Sequence, residues 1–389
     1  AKMGKKVVLI EPSDHMGGHM SEGLGSADID NHKEFRNSAA IGGMALQFYK
    51  ELALYYKRQE AFEKMLMSKT ATTQLWKAES SVIEKLFEQW VKQSGVTVIK
   101  RVQLNSVMKT DARIQYVEMS DKKKYEAAVF IDATYEGDLL AAAGITTKTG
   151  REANSLYGET LNGIRAETKH AQFAVKVDPY KVNGDASSGL IPTIQNEPFG
   201  IPGTGDESLQ AYCFRVCLTN DVSNQIPFAQ PRGYDRTQYE IYLRYLAAKG
   251  KLYTPRANLP NNKTDLGAWH DLSHNLYGMN RGYPTGTLKQ RQAILEQHKV
   301  FTKGLFYFLS TDTSVSRLAP TLQTEWKKWG YAKDEFTDNQ GFPRKFYVRD
   351  ARRMVSDYVI TEHTASKSNL ETVSDPIAVA YWPMDVHSV

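Results

Sequence analysis

Cysteine is almost missing from this chain of 389 residues, which carries Cys213 and Cys217 and no other. A disulfide framework is therefore excluded as the source of its stability. The two stand in the strand-like stretch Tyr212-Cys213-Phe214-Arg215-Val216-Cys217-Leu218. Alternation puts Cys213, Arg215 and Cys217 on one face and the apolar residues on the other. Four extended residues separate the two Cα atoms too far for a bridge, so the stretch reads as holding two buried thiols. Long apolar runs are missing too, and none approaches the length of a membrane span. No secretory leader is visible, and compartment and oligomeric state are not legible. Charge of one sign is scarce: 49 basic against 44 acidic side chains give +5. Lys122-Lys123-Lys124 is the kind of short run present, in an expected hairpin turn, and no basic stripe argues for nucleic acid. The last absence is the most specific. In a dinucleotide-binding βαβ unit, an acid at the tip of the second strand follows a Gly-rich turn by about 20 residues. Glu11 ends the apolar strand Lys5–Glu11, yet only ten residues precede it, and Ala1–Gly4 reads as the tail of a helix. The chain thus reads as a piece that starts inside such a unit.

What is present extends that reading. Pro12-Ser13-Asp14-His15-Met16-Gly17-Gly18-His19 is a turn with paired glycines, which let backbone approach a flat ligand. Ala128–Ala133 reads as a second buried strand, followed by Thr134, Gly137-Asp138 and a short helix from Leu139 to Ala143. Nucleotides bind at the carboxyl ends of parallel strands. Between these ends, His32–Glu63 and Ala78–Gln93 carry apolar residues at helical spacing, with Gly42-Gly43 suggesting close packing in the first. Strands are expected at Val96–Ile99, Val102–Met108, Arg113–Ser120 and Lys124–Ala133. From about Ala166, prolines, glycines and tyrosines become frequent. Helices are expected at Arg236–Lys249, Gly286–Leu309 and Arg344–Glu362. A chain of this length is expected to form two domains.

The segments VVLIEPSDHMGGHMSEGLG, FIDATYEGDLLAAAGI, GREANSLYGETLNGI, YCFRVCLT, LPNNKTD, KDEF and FYVRDARRM occur in this order across the chain. Together they resemble the FAD-dependent oxidoreductase family, a branch of the glutathione-reductase-type flavoproteins whose members are often labelled xanthan lyase-like. The resemblance implies an α/β fold with a Rossmann-like FAD-binding domain, incomplete at both ends of this chain, and a β-meander. An inserted α+β substrate domain completes it. Residues 1–165 would form the FAD-binding part, with a helical insert at 32–93. Residues 166–345 would form the substrate domain, and 346–389 a return segment. By this resemblance FAD is the cofactor. Glu11 would hold the AMP ribose, and Leu104 would offer backbone to adenine. Gly17, Gly18, His19 and Met20 would run along the flavin. Ala133, Thr134, Gly137 and Asp138 would close over the pyrophosphate or ribityl region.

The substrate would be a small or carbohydrate-derived molecule, passing hydride to flavin. The sugar reading rests on the lyase-like label and on an aromatic content of 11% with 21 Tyr, which equally suits a packed core. Arg349, Arg352 and Arg215 are candidates to anchor an anion or stabilise reduced flavin. Salt bridging is the alternative for Arg349 and Arg352, and the favoured reading for Arg353. His387, beside Asp385, is the most base-like residue, with capping as its alternative. His270-Asp271-Leu272-Ser273-His274 lacks the glutamate of a zinc-protease helix, so no metal is expected. Asp132 and Glu136 fit a flavin loop better than a glycosidase pair. Lys263-Thr264-Asp265 forms a polar loop of unassigned task. Two rival functions stand beside the oxidoreductase: a polysaccharide lyase and a non-catalytic fragment.

Overall fold

The computed structural model describes residues 1–389 except 32–35, 69–71, 167–171, 269–271, 367, 369–372, 379–386 and 388–389. Helices and strands are mixed along the chain, as an α/β protein requires. The β-branched run before Glu11 forms β1 (Val8–Glu11), which pairs in parallel with β2 (Thr97–Lys100), Glu11 opposite Lys100. A parallel pair needs a crossover. Here it is long and contains three helices, α1 (Gly43–Tyr55), α2 (Gln59–Met67) and α3 (Ser80–Ser94). After β2 the chain turns back as the antiparallel meander β3 (Leu104–Thr110), β4 (Arg113–Met119) and β5 (Lys124–Tyr125). Lys122 lies in the β4–β5 turn with φ 66°, so the short lysine run is indeed in a hairpin. Val102, Val117 and Met119 are the buried centre of this layer, with Ile10, Ile99 and Leu104 packed against them.

The crossover helices have their own core. Phe48, Leu52, Phe62, Trp76, Val82, Ile83 and Leu86 close on one another, and Trp76 meets Tyr49 and Phe62 edge-on. Gly95, with φ 68°, ends α3 in the left-handed conformation that glycine adopts at no steric cost. Gly42 and Gly43 are not a close approach. Gly42 caps α1 and Gly43 opens it, and a Cβ on either would meet nothing within 4 Å.

The largest core belongs to the second half of the chain. The helix Leu288–Thr311, started by a Thr287–Gln290 capping box, supplies Phe301, Leu305, Phe306, Phe308 and Leu309. Glu240–Ala247 packs Tyr242 and Tyr245 into the same core. Seven of the 21 tyrosines lie in this core. Tyr212, Tyr239, Tyr242, Tyr245, Tyr253, Tyr283 and Tyr331 are all buried, so they build an interior rather than a ring-binding surface. Their hydroxyls find partners, as when Tyr239 donates to the Phe301 carbonyl at 3.0 Å.

Several expectations are corrected. Arg344–Glu362 is not a helix. Phe346 and Val348 are buried with the half-buried Tyr347 between them, a period of two. Tyr347 donates to the Cys213 carbonyl at 2.8 Å, and Arg353–Met354 pairs with Thr147–Lys148. Apolar content there was read at the wrong period. The strand expected at Lys124–Ala133 ends at Tyr125. Val129 and Ile131 are 73% and 82% exposed, because among the described residues no strand pairs with this segment. The strand at Lys5–Glu11 is likewise not buried throughout: Val7 and Val8 are exposed, since among the described residues β1 pairs with β2 alone. Ala1–Gly4 is a single turn, closed by a bond from the Gly4 amide to the Ala1 carbonyl. The stretch Tyr212–Leu218 is buried on both faces, with Arg215 alone partly exposed, so strict alternation of inside and outside fails. Part of the expected helix His32–Glu63 lies outside the described residues.

Candidate functional site

The tip of β1 is held by local chemistry. Glu11 accepts from the Ser13 amide at 3.0 Å and the Ser13 hydroxyl at 2.6 Å, and the Lys345 ammonium lies 2.9 Å away. All three contacts fall on Oε1. The chain crosses this tip through bonds from the Arg101 and Val102 amides to the Ser13 and Glu11 carbonyls, which brings Leu104, at the head of β3, close by.

The double glycine then turns the chain. Gly17 and Gly18 have φ of 106° and 58°. A Cβ on Gly18 would fall on the Tyr135 hydroxyl, so only glycine fits. That hydroxyl accepts from the His19 amide at 2.7 Å, and the two rings stack at 3.6 Å. His19 is 9% exposed, and its Nε2 accepts from the Val348 amide at 3.2 Å. Burial, and then the nearby Arg215 and Lys345 charges, push its pKa down to about 4. His19 is therefore neutral at neutral pH, with its proton on Nδ1. Met20 instead packs into the helical core.

The edge of His19 meets the Tyr347 ring at 4.9 Å. Two guanidiniums flank Tyr347: Arg215 at 5.1 Å and Arg349 at 5.3 Å from the ring centre. Arg215 donates to Asp265 at 2.6 Å. Arg349 donates to the carbonyls of Ala211 and Ala268, to Asn275 Oδ1 and to Cys213 Sγ at 3.5 Å. No carboxylate among the described residues forms an ion pair with it. Both cysteines are free and buried. Burial pushes the Cys213 thiol up, but Arg349, with His274 and Arg215, outweighs it and draws the pKa down to about 6. Cys217, near Glu335, is pushed up by burial.

The other expected site residues lie around this cluster. Thr134 accepts from the amides of Gly137 and Asp138, and Asp132 accepts from those of Thr134 and Leu140. The first turn of α4 (Asp138–Ala142) is thus capped from within the chain. Ala133 is exposed between these caps. Asp138 pairs with Arg291 at 2.6 Å and with Arg352 at 2.9 Å. Arg352 therefore faces α4 rather than Tyr347, and Arg353 reaches the Gly150 carbonyl. Glu136 is raised by burial above the usual carboxylate range. The His387 amide donates to Gln210, next to the Ala211 that binds Arg349. Asp385, His270 and Asp271 lie outside the described residues, while His274 is buried against Tyr253 and the Phe214 carbonyl.

Sequence reading missed Tyr135, Tyr347 and Lys345 as members of this neighbourhood, and left Asp265 in a polar loop of unassigned task. Their signal was contact between residues 50 to 334 positions apart, which no local spacing carries. One acidic group among the described residues, Glu79, Asp334 and Glu335, has the spacing of cation ligands. The Lys263 ammonium sits among them at 2.6, 2.7 and 2.7 Å and serves as their cation.

Among the described residues the contacts of Glu11 fall on Oε1, and the space beside Gly17 and Gly18 is filled by Phe87, Ser21 and Tyr135. The α4 amides are already capped and offer a phosphate less. No helix of the described residues is long and apolar enough to cross a membrane. No curated protein and no solved structure matches the chain. A family model described as FAD dependent oxidoreductase matches residues 1–389. The chain therefore belongs to the FAD dependent oxidoreductase family, and FAD is its cofactor.

Proposed function

We propose that the protein passes hydride from a small, anionic, carbohydrate-derived substrate to FAD beside Tyr347. One observation carries this reading: the Tyr347 ring lies against both Arg215 and Arg349 while its edge meets His19, at the end of the double-glycine turn. Glu11 would hold the AMP ribose, in a Rossmann-like unit whose parallel pair is β1 and β2. Leu104 would lie along the adenine, and Gly17, Gly18 and His19 along the flavin. Ala133, Thr134, Gly137 and Asp138 would border the ribityl region, with Arg352 fixing Asp138. FAD, when bound, supplies the hydride acceptor.

The chain's own residues do the rest. Arg349, which lacks a carboxylate partner among the described residues, and Arg215 orient the anionic group. His19 is held between the Tyr135 and Tyr347 rings, and it alone of the three is buried. His19 donates through Nδ1–H and cannot act as a base through Nε2, which is already engaged. His387, tethered by Gln210, is the residue we assign to take the substrate proton.

The test is spectroscopic. The FAD-loaded chain is titrated without oxygen with aldonic and uronic acids and with the matching neutral sugars. Bleaching of the visible flavin band by the acids alone is expected. Arg349→Met should weaken it about tenfold or more, the usual worth of a charged hydrogen bond. Bleaching by neutral sugars alone would refute the anionic reading. Flavin-independent cleavage of an acidic polysaccharide would favour a lyase.

A further inference from the structure

We propose that Asp265 is a positioning residue of this site, one carboxylate that holds the Arg215 cation and the flavin-side loop as a unit. The inference rests on the substrate reading above, and it gives the Lys263-Thr264-Asp265 motif a task. Asp265 Oδ1 accepts from Arg215 Nε at 2.6 Å, and Oδ2 accepts from the Ser26 amide at 3.0 Å. Ser26 ends the turn that begins at Gly17. The Asp265 side chain is wholly buried and that of Arg215 is 19% exposed, so the pair is shielded from solvent screening.

The rest of the motif fixes where Asp265 stands. Thr264 Oγ1 accepts from the Leu218 amide and donates to the Val216 carbonyl, which locks the motif against the strand bearing Arg215. Lys263 anchors it to Glu79, just before α3, and to Glu335. Asn258 grips the Asp265 backbone from both ends. Arg215 is further confined by glycines: a Cβ on Gly267 would strike its guanidinium, and one on Gly23 its carbonyl. Gly23 belongs to the same turn as Ser26. Loop and cation are therefore built against each other, and Asp265 is the polar joint.

Both partners of Asp265 are donors, so an asparagine, with one oxygen, satisfies only one of them. Asp265→Ala satisfies neither. The experiment uses the full chain with two readouts. One is amide exchange at Ser26, and the other is calorimetric affinity for benzoate as a carboxylate probe. Thermal unfolding of each variant confirms that it folds. Asp265→Ala should speed Ser26 exchange and weaken benzoate binding, each about tenfold. Asp265→Asn should lose one of the two in full. In an Arg215→Met background, Asp265→Ala should cost benzoate affinity nothing more, because it acts through Arg215. A purely structural role would make the two losses add, and that outcome overturns the proposal. So does tighter benzoate binding in Asp265→Ala, which would make the carboxylate a mere counter-charge. If Arg215→Met alone leaves benzoate binding unchanged, the anionic-substrate reading fails. The clamp is then judged by Ser26 exchange, and unchanged exchange in Asp265→Ala sinks it.

Discussion

Replacing Lys263 by Met should expose how much buried charge this fold balances with one ammonium. Lys263 is 1% exposed and touches Glu79, Asp334 and Glu335. Asp334 is half-exposed, so water screens it and its share is small. Glu79 and Glu335 have side chains only 5% and 0% exposed, and they would lose the cation that pairs with them among the described residues. Their remaining bonds survive: Tyr56 and Asn261 on Glu79, and the Ser81 amide and hydroxyl on Glu335. Breaking a buried pair by removing one partner costs about 3–5 kcal/mol, and these surviving bonds place Lys263→Met inside that range. The cost depends on pH. Burial already raises the Glu335 pKa, and without the ammonium it rises further. A carboxyl raised in the folded state takes up protons on folding, so stability increases as pH falls through that pKa. The Lys263 pKa is itself raised, so the wild-type contribution is constant over the same range and is lost only in strong base. The penalty is therefore largest near pH 8 and shrinks towards about pH 5, where buried carboxyls can be neutral. Denaturant midpoints at both pH values measure it. Calcium should stabilise the variant and not the wild type, because three carboxylates then lack a cation. A loss below about 1 kcal/mol at pH 8 would refute the reasoning, since that is the scale of a surface pair.

Three further outcomes are expected. The His19 pKa is held down to about 4 against 6.5 unfolded, so the unfolded chain binds the extra proton and stability drops as pH falls from about 6.5 to 4. His19→Gln should flatten that slope, which thermal unfolding across this range detects. Gly18→Ala places a methyl on the Tyr135 hydroxyl at φ 58°, and should cost about 1–3 kcal/mol while releasing the Tyr135–His19 stack, read by denaturant unfolding and ring fluorescence. Thiolate absorbance should titrate near pH 6 in the wild type, vanish in Cys213→Ser and move upward in Arg349→Met.

Periodic segments were legible because their cause is local. Val82, Ile83 and Leu86 at helical spacing give one face of α3, and the β-branched runs before Glu11 and Lys100 give the parallel pair. The helices Glu240–Ala247 and Leu288–Thr311 lie where apolar spacing placed them. Phe346-Tyr347-Val348 was misread because Phe346 and Val348 were taken together with Met354, Val355, Val359 and Ile360 as one apolar helical run, whereas the bridge from Tyr347 to Cys213 makes the segment extended. The aromatic surplus was visible, but its location in the interior was not.

The sequence by itself determined the family, since its motifs run in order along the whole chain, and with it the flavin cofactor. It also determined that the thiols are unbridged and that Glu11 closes a strand. Only the tertiary structure decided which charges meet. Arg215 finds Asp265, Arg352 finds Asp138, Lys345 finds Glu11, and Arg349 finds carbonyls and a thiol. The reason is physical. A strand or helix is set by neighbours a few residues away, whereas an ion pair is set by which buried surfaces close together. Tyr347, 328 positions beyond the His19 it touches, carries no mark of that contact in its own segment.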